Sequence, residues 1–192
     1  MSVLFIHSHF GLPPAGYAND ERIVVLRERV LNAGHFAVVS GVITTTHLDQ
    51  IGWLDHLPAL VELLNRGGNW FFNGHFMRPF LPEIAPYVRL ENPRRADLAL
   101  TRLVEHPIFA GTDQKSLEEN RGVAGFYGRG HNPMPPGGVA INGIGPDLRP
   151  VDWVWDRPKG GRIFSHAGND LGGVEQGAPL VPRIIAWANG EI

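Results

Sequence analysis

Two uninterrupted apolar runs, Val3-Leu4-Phe5-Ile6 and Trp70-Phe71-Phe72, constrain this chain more than any other feature. A strand with one wet face alternates apolar and polar residues; a run without alternation fits a strand covered on both faces. Parallel sheets supply that cover, because each crossover connection lays a helix across them. Between the two runs Leu57, Leu60, Val61 and Leu64 repeat at i, i+3, i+4 and i+7, and Gly67-Gly68 follows as a stop. Strand and helix signals therefore alternate, and the fold class expected is α/β. More closely, it is a single three-layer doubly wound domain on a mostly parallel, flavodoxin-like sheet. A length of 192 residues suits one domain spanning 1–192.

The remaining elements are assigned by the same rules. The spacing of Ile23, Leu26, Val30 and Ala33 predicts a helix over 19–33, capped by Asn19 or Asp20 and ended by Gly34. Phe36 to Val39 is expected as a second strand and Val42 to Thr45 as a third. Beyond Pro82, strands are expected at Phe126-Tyr127, Val139 to Ile141, Val151 to Trp155 and Arg162 to Phe164, and a closing helix over 179–189. The sequence does not fix the strand order of this half. Glycines and prolines concentrate after residue 120, where long shaped loops are expected.

Composition excludes several functions. There is no cysteine, so disulfides, thiolate zinc sites and cysteine nucleophiles are ruled out together. A net charge of −2 offers no reason to expect nucleic acid or an anionic membrane as partner. No apolar run approaches the roughly 18 residues needed to span a bilayer. The start lacks a basic lead and reads as a strand. With no cysteine, a cytoplasmic location is the default expectation. A homo-oligomer is expected whatever the chemistry.

Ligands of open α/β sheets bind outside the carboxyl ends of the strands. Three strand ends carry polar, titratable residues: His7 and His9 after the first strand, Asn73 and His75 after Trp70 to Phe72, and His166, Asn169 and Asp170 after Arg162 to Phe164. If those strands are parallel, all three sets leave the same edge. His7 and His9, two residues apart, share a face if the strand extends that far. That spacing suits a divalent metal, the one cofactor considered, with Asp170 or His166 as further ligands; the alternative is one packed histidine and one bonded to a loop. Asn73-Gly74-His75 reads as a strand-to-helix turn that exposes His75 beside helix N-terminal amides, a setting for acid/base work. The alternative there is a glycine-enabled tight turn with a capping histidine. Ser8-His9 and Ser165-His166 do not make a serine hydrolase, since neighbours on a strand face opposite ways and no Gly-x-Ser-x-Gly elbow occurs.

Several of these residues, in order, resemble a known family: His9-Phe10, Gly67-Gly68, His75, His106-Pro107-Ile108 with Gly111, Pro150-Val151-Asp152-Trp153, and Lys159 to Phe164 before Gly168. The chain resembles the ThuA-like (trehalose utilisation) proteins of the class I glutamine amidotransferase-like superfamily. The resemblance implies an enzyme of carbohydrate or keto-sugar metabolism, hydrolysing or isomerising its substrate. It also implies no glutaminase activity, because His75 stands where the amidotransferase relatives carry cysteine. The expected catalytic residues are His75, His9 and Asp170. His7, Asn73, His131, His166 and Asn169 are expected to bind a carbohydrate-like ligand, with His7, His9 and His166 as ligands if a metal is present. The family pattern Gly-His-Asp is Gly168-Asn169-Asp170 here, and a non-catalytic sugar- or metabolite-binding module is the alternative.

Overall fold

The computed structural model describes residues 2–8, 11–174 and 180–192. Ten strands are present among them: β1 (Ser2–His7), β2 (Ile23–Arg27), β3 (Val39–Thr44), β4 (Asn69–Asn73), β5 (Val88–Arg89), β6 (Leu100–Arg102), β7 (Gly130–His131), β8 (Val139–Ile144), β9 (Arg149–Asp156) and β10 (Arg162–His166). The α-helices are α1 (Ala15–Ala18), α2 (Ala33–Ala37), α3 (Leu57–Asn65), α4 (Gln114–Glu118) and α5 (Leu180–Ala188). Eight strands form one sheet in the order β2-β1-β3-β4-β10-β9-β8-β6, while β5 and β7 pair separately.

The five strands from β2 to β10 run parallel, so the sheet is mostly parallel, as expected. The last three, β9, β8 and β6, run antiparallel to their neighbours. Connection length explains the change. Only residues 145–148 join β8 to β9 and only 157–161 join β9 to β10, too few for the crossover that a parallel pair requires. Leu148 (φ 51°) and Gly161 (φ 74°) take the left-handed backbone these tight returns demand.

Side chains of the central strands go alternately to two cores. Val3, Phe5, Ile43, Phe71 and Phe164 point to one face, where α5 covers them with Leu180, Val181, Ile184, Ile185 and Trp187. Leu4, Ile6, Val42, Trp70, Phe72 and Ile163 point to the other, against Leu60, Leu63 and Leu64 of α3 and Phe36 of α2. That two-sided burial is why the strands read as unbroken apolar runs, and each such side chain contributes about 1.5–3 kcal/mol when fully buried.

Three assignments change. The 19–33 stretch is not one α-helix: the β-branched Ile23-Val24-Val25 leads a strand that pairs with β1 as the sheet edge, overriding the helical spacing, and a short 3₁₀ turn at Glu28–Val30 follows. Phe36 and Ala37 belong to α2, because Asn32 caps it by accepting from the Gly34 amide while His35 accepts back from the Asn32 amide. The second and third expected strands are thus one, β3. Phe126-Tyr127 is not a strand. The closing helix is found as α5; Pro179 lies outside the described residues.

Candidate functional site

Since β1, β3, β4 and β10 are parallel, their carboxyl ends share one edge, and His7, Asn73 and His166 lie along it. Alternation puts all three on the face of Phe5, Phe71 and Phe164. Sheet order separates them, however. Asn73 and His166 are register partners on adjacent strands, whereas β3 and β4 stand between β1 and β10. At about 4.8 Å per strand, His7 and His166 are about 14 Å apart, against metal–nitrogen bonds of about 2 Å. They cannot share one ion, and no group of three His, Asp or Glu side chains suited to a metal occurs among the described residues. β1 also ends at His7, so the face-sharing argument for His9 lapses; His9 itself lies outside the described residues.

A cleft of 360 Å³ opens over the ends of β3, β4 and β10, bordered by Thr46, Gln50, His75, Phe126, Gly168 and Asn169. His75 is exposed at its rim, and its ring stacks on Tyr87 with centroids 3.6 Å apart and planes 13° apart. Although the residue as a whole is exposed, the desolvation of its ring and, secondarily, the His166 charge hold its pKa below the usual histidine value, so the imidazole is mostly a neutral acceptor near pH 7. The expected helix after His75 is absent: residues 75–87 contain none. Gly74 takes φ 111°, a value that favours glycine. The segment is fixed instead by side chains. Asn132 donates to the Gly74 carbonyl (2.9 Å) and accepts from the Phe76 amide (3.0 Å), and Gln50 donates to the His75 carbonyl (2.6 Å) and accepts from the Met77 amide (2.8 Å). Among the described residues the His75 ring itself makes no hydrogen bond.

Behind the cleft lies a fully buried polar network. Asp152 on β9 faces His166 across the antiparallel pair and accepts from His166 Nδ1, the Tyr127 hydroxyl and Asn142 Nδ2, each at 2.6 Å. Arg102 donates to Asn142 Oδ1 at 2.6 Å. His166 Nε2, on the far side of the ring from Asp152, is buried with no hydrogen-bond partner among the described residues. Burial, then Asp152, pushes the Tyr127 hydroxyl well above its ordinary range, so it stays a donor. Gly168 seals Nε2 from the cleft: an added Cβ would fall 2.7 Å from Nε2 and 1.8 Å from the Tyr127 carbonyl oxygen.

Asp170 is half-buried and accepts from the Thr46 amide at 2.8 Å. Burial raises its carboxyl pKa against the opposing bonds from Thr46. It borders a second, smaller cavity of 70 Å³ with Phe5, Tyr17, Thr45 and Asn73. Asn73 is structural: it donates to the Thr44 carbonyl and accepts from the Leu171 amide. Asn169 lines the cleft and donates to the Phe126 carbonyl at 2.9 Å. His7 borders a separate groove with Arg27, Glu28 and His56, and His131, on β7, does not line the cleft. The structure therefore brings His75 and Asn169 to one cleft, puts Asp170 at a neighbouring cavity instead, buries His166 beneath, and leaves His7 and His131 apart.

Asn132, Tyr87, Gln50 and the Asp152 network escaped sequence reasoning. One signal was available: Asp152 interrupts the apolar run Val151 to Trp155, and a buried carboxylate needs partners.

No protein-family model matches the sequence, and no curated protein does. Among solved structures, a cytoplasmic protein from Salmonella typhimurium superposes with a TM-score of 0.64 at 11% identity, covering 97% of this chain and 98% of that one. The mmIFT52 N-terminal domain superposes with a TM-score of 0.57 at 13% identity, covering 98% and 97%. At such identities the likeness is one of fold alone.

Proposed function

We propose that the cleft beside His75 binds a small carbohydrate or keto-sugar and that His75 serves there as general acid/base, hydrolysing or isomerising the bound molecule as a ThuA-like enzyme would. The observation that carries this reading is an exposed, neutral imidazole at the rim of a cleft over the strand ends, its orientation fixed by Tyr87 and its backbone clamped by Asn132 and Gln50. Such a group is poised to take and return a proton close to neutrality, provided its geometry is held. The mixed lining supports the ligand class: Phe126 and Met77 offer apolar contact for a ring face, and Thr46, Gln50 and Asn169 offer hydroxyl partners. The sheet and its two-sided core agree with a three-layer, doubly wound domain of the amidotransferase-like kind, and the absence of cysteine agrees with a cytoplasmic protein.

Incubating the protein with disaccharides and keto-sugars and following products by proton NMR tests the reading. We expect His75→Ala to lose turnover at least a hundredfold while keeping its fold. Turnover that survives the substitution overturns the role of His75. A second reading, a sugar-binding module without turnover, rests on the lack of a hydrogen-bonded partner for the His75 ring among the described residues. It predicts that wild type binds but forms no product.

A further inference from the structure

Arg129 lines the cleft, and the chemistry assigned to His75 makes no use of it. It stands between two buried glycines. A Cβ at Gly128 would fall 2.7 Å from Val151 Cγ2, and one at Gly130 would run into the Tyr87 hydroxyl and the Val88 carbonyl. The backbone is packed too closely there for neighbouring side chains, so this stretch presents one long side chain between two bare positions. Its place is fixed. The Arg129 carbonyl accepts from the Leu90 amide at 2.9 Å, and Gly130 pairs with Arg89 in the β5–β7 ribbon. Tyr87, immediately before β5, stacks on His75. One short ribbon therefore seats both the support of the His75 ring and the arginine.

Charge decides what such an arginine can bind. Among the described residues lining the cleft none is a carboxylate, and with His75 mostly neutral near pH 7 only Arg129 carries a full charge. The guanidinium forms no ion pair among the described residues. Its hydrogen bond to the Ala124 carbonyl spans 3.5 Å, beyond the usual range for such a bond. Asp170, one residue past Asn169, borders the smaller cavity instead and accepts from the Thr46 amide. An unopposed charge at a cleft has its field focused there, and the planar guanidinium fork matches a carboxylate or a phosphate. We infer that the cleft's ligand is an anionic sugar, a sugar phosphate or a sugar acid, whose anionic group Arg129 holds while the hydroxyl-bearing part lies towards His75. This rests on the reading of the cleft as a carbohydrate site. Volume agrees: 360 Å³ lies at the small end of ligand sites and leaves room for one monosaccharide with its anion.

Isothermal titration with fructose 6-phosphate, D-glucuronate and their neutral parents D-fructose and D-glucose tests the inference on wild type, Arg129→Met and Lys159→Met. Arg129→Met keeps an apolar stem and loses the charge. Lys159→Met removes the same charge from the β9–β10 return, at the opposite end of β10 from the cleft. Both side chains are exposed, so both variants should melt within about 2 °C of wild type. Wild type should bind one anionic probe at least about tenfold more tightly than its neutral parent, the worth of a charge-assisted hydrogen bond. Arg129→Met should lose that preference and Lys159→Met should keep it. Whichever probe gains names the group, phosphate or carboxylate. A preference kept in Arg129→Met, or lost equally in both variants, overturns the anion site. Neutral sugars bound by wild type as tightly as anionic ones also overturn it and leave the carbohydrate cleft standing. If no probe binds wild type, both fall.

Discussion

Asp152→Ala is the most informative single change, because the structure sets its size. The carboxylate is completely buried and accepts three hydrogen bonds. Removing it strands three donors, each worth about 1–3 kcal/mol when buried without an acceptor. Part is recovered, since Asn142 Nδ2 still lies 3.2 Å from the Tyr127 hydroxyl. A net loss of about 3–5 kcal/mol follows, the usual range for breaking a buried charged pair. Asp152→Asn is the control. Its carbonyl can still accept from Tyr127 and Asn142, and its amide can donate to His166 Nδ1 once the histidine proton moves to Nε2. It should therefore lose only about 1–2 kcal/mol. Urea unfolding followed by tryptophan fluorescence measures both, since all five tryptophans are buried. With a slope of about 2–3 kcal/mol per molar, Asp152→Ala should move the midpoint down by about 1–2.5 M. A loss below about 1 kcal/mol, or equal losses in the two variants, would refute the argument that Asp152 organises these donors. Nitrogen NMR should also show the His166 proton on Nδ1 in wild type and on Nε2 in Asp152→Asn.

Two further outcomes follow from the same region. Burial and the Arg162 and Arg102 charges lower the His106 pKa to about 4 against the opposing pull of Asp152, whereas the unfolded value is about 6.5. The unfolded chain then binds more protons between those values, so stability is full above about 6.5 and is lost as pH falls towards 4. That difference sets a ceiling of about 3 kcal/mol, and partial exposure reduces it to about 1–2 kcal/mol. His106→Gln should flatten the fall in melting temperature between those pH values by that amount, and an unchanged slope would remove His106 from the account. Gly168→Ala should lower the melting temperature by about 6–12 °C, because its Cβ has no room beside the Tyr127 carbonyl. Gly173→Ala, whose Cβ meets no described atom nearer than 3.9 Å, should melt within about 2 °C of wild type; similar shifts in the two would refute the steric argument.

The parts of the fold legible in the sequence were those with redundant signals. β1 and β4 are buried on both faces and cannot alternate, and α3 and α5 carry apolar stripes with glycine stops. The error at 19–33 arose where two signals competed. Ile23, Leu26 and Val30 fit a helix, but the β-branched run between them found an unpaired edge on β1, and a tertiary partner outweighs local spacing. The antiparallel half was readable from lengths alone: four and five residues between β8, β9 and β10 cannot hold a crossover.

The site was legible only as far as topology reaches. Parallel strands guarantee that residues after β1, β4 and β10 reach one edge, and they do. Distance along that edge depends on strand order, which chain position does not reveal: β1 precedes β10 by 155 positions in the chain yet is separated from it by only two strands. Those two strands suffice to break the proposed histidine cluster. Conversely, Asp152 and His166 look unrelated in the sequence, 14 residues apart on different strands, and become partners because a five-residue return folds β10 against β9 in register. Asn132 carries no local signal, yet it binds both sides of the His75 peptide segment and accepts β9 through the Trp153 indole, 2.8 Å from its carbonyl. The titratable residues of a site announce themselves by type and place. The residues that hold them still are ordinary amides and hydroxyls, recognisable only once strand order and register set their partners.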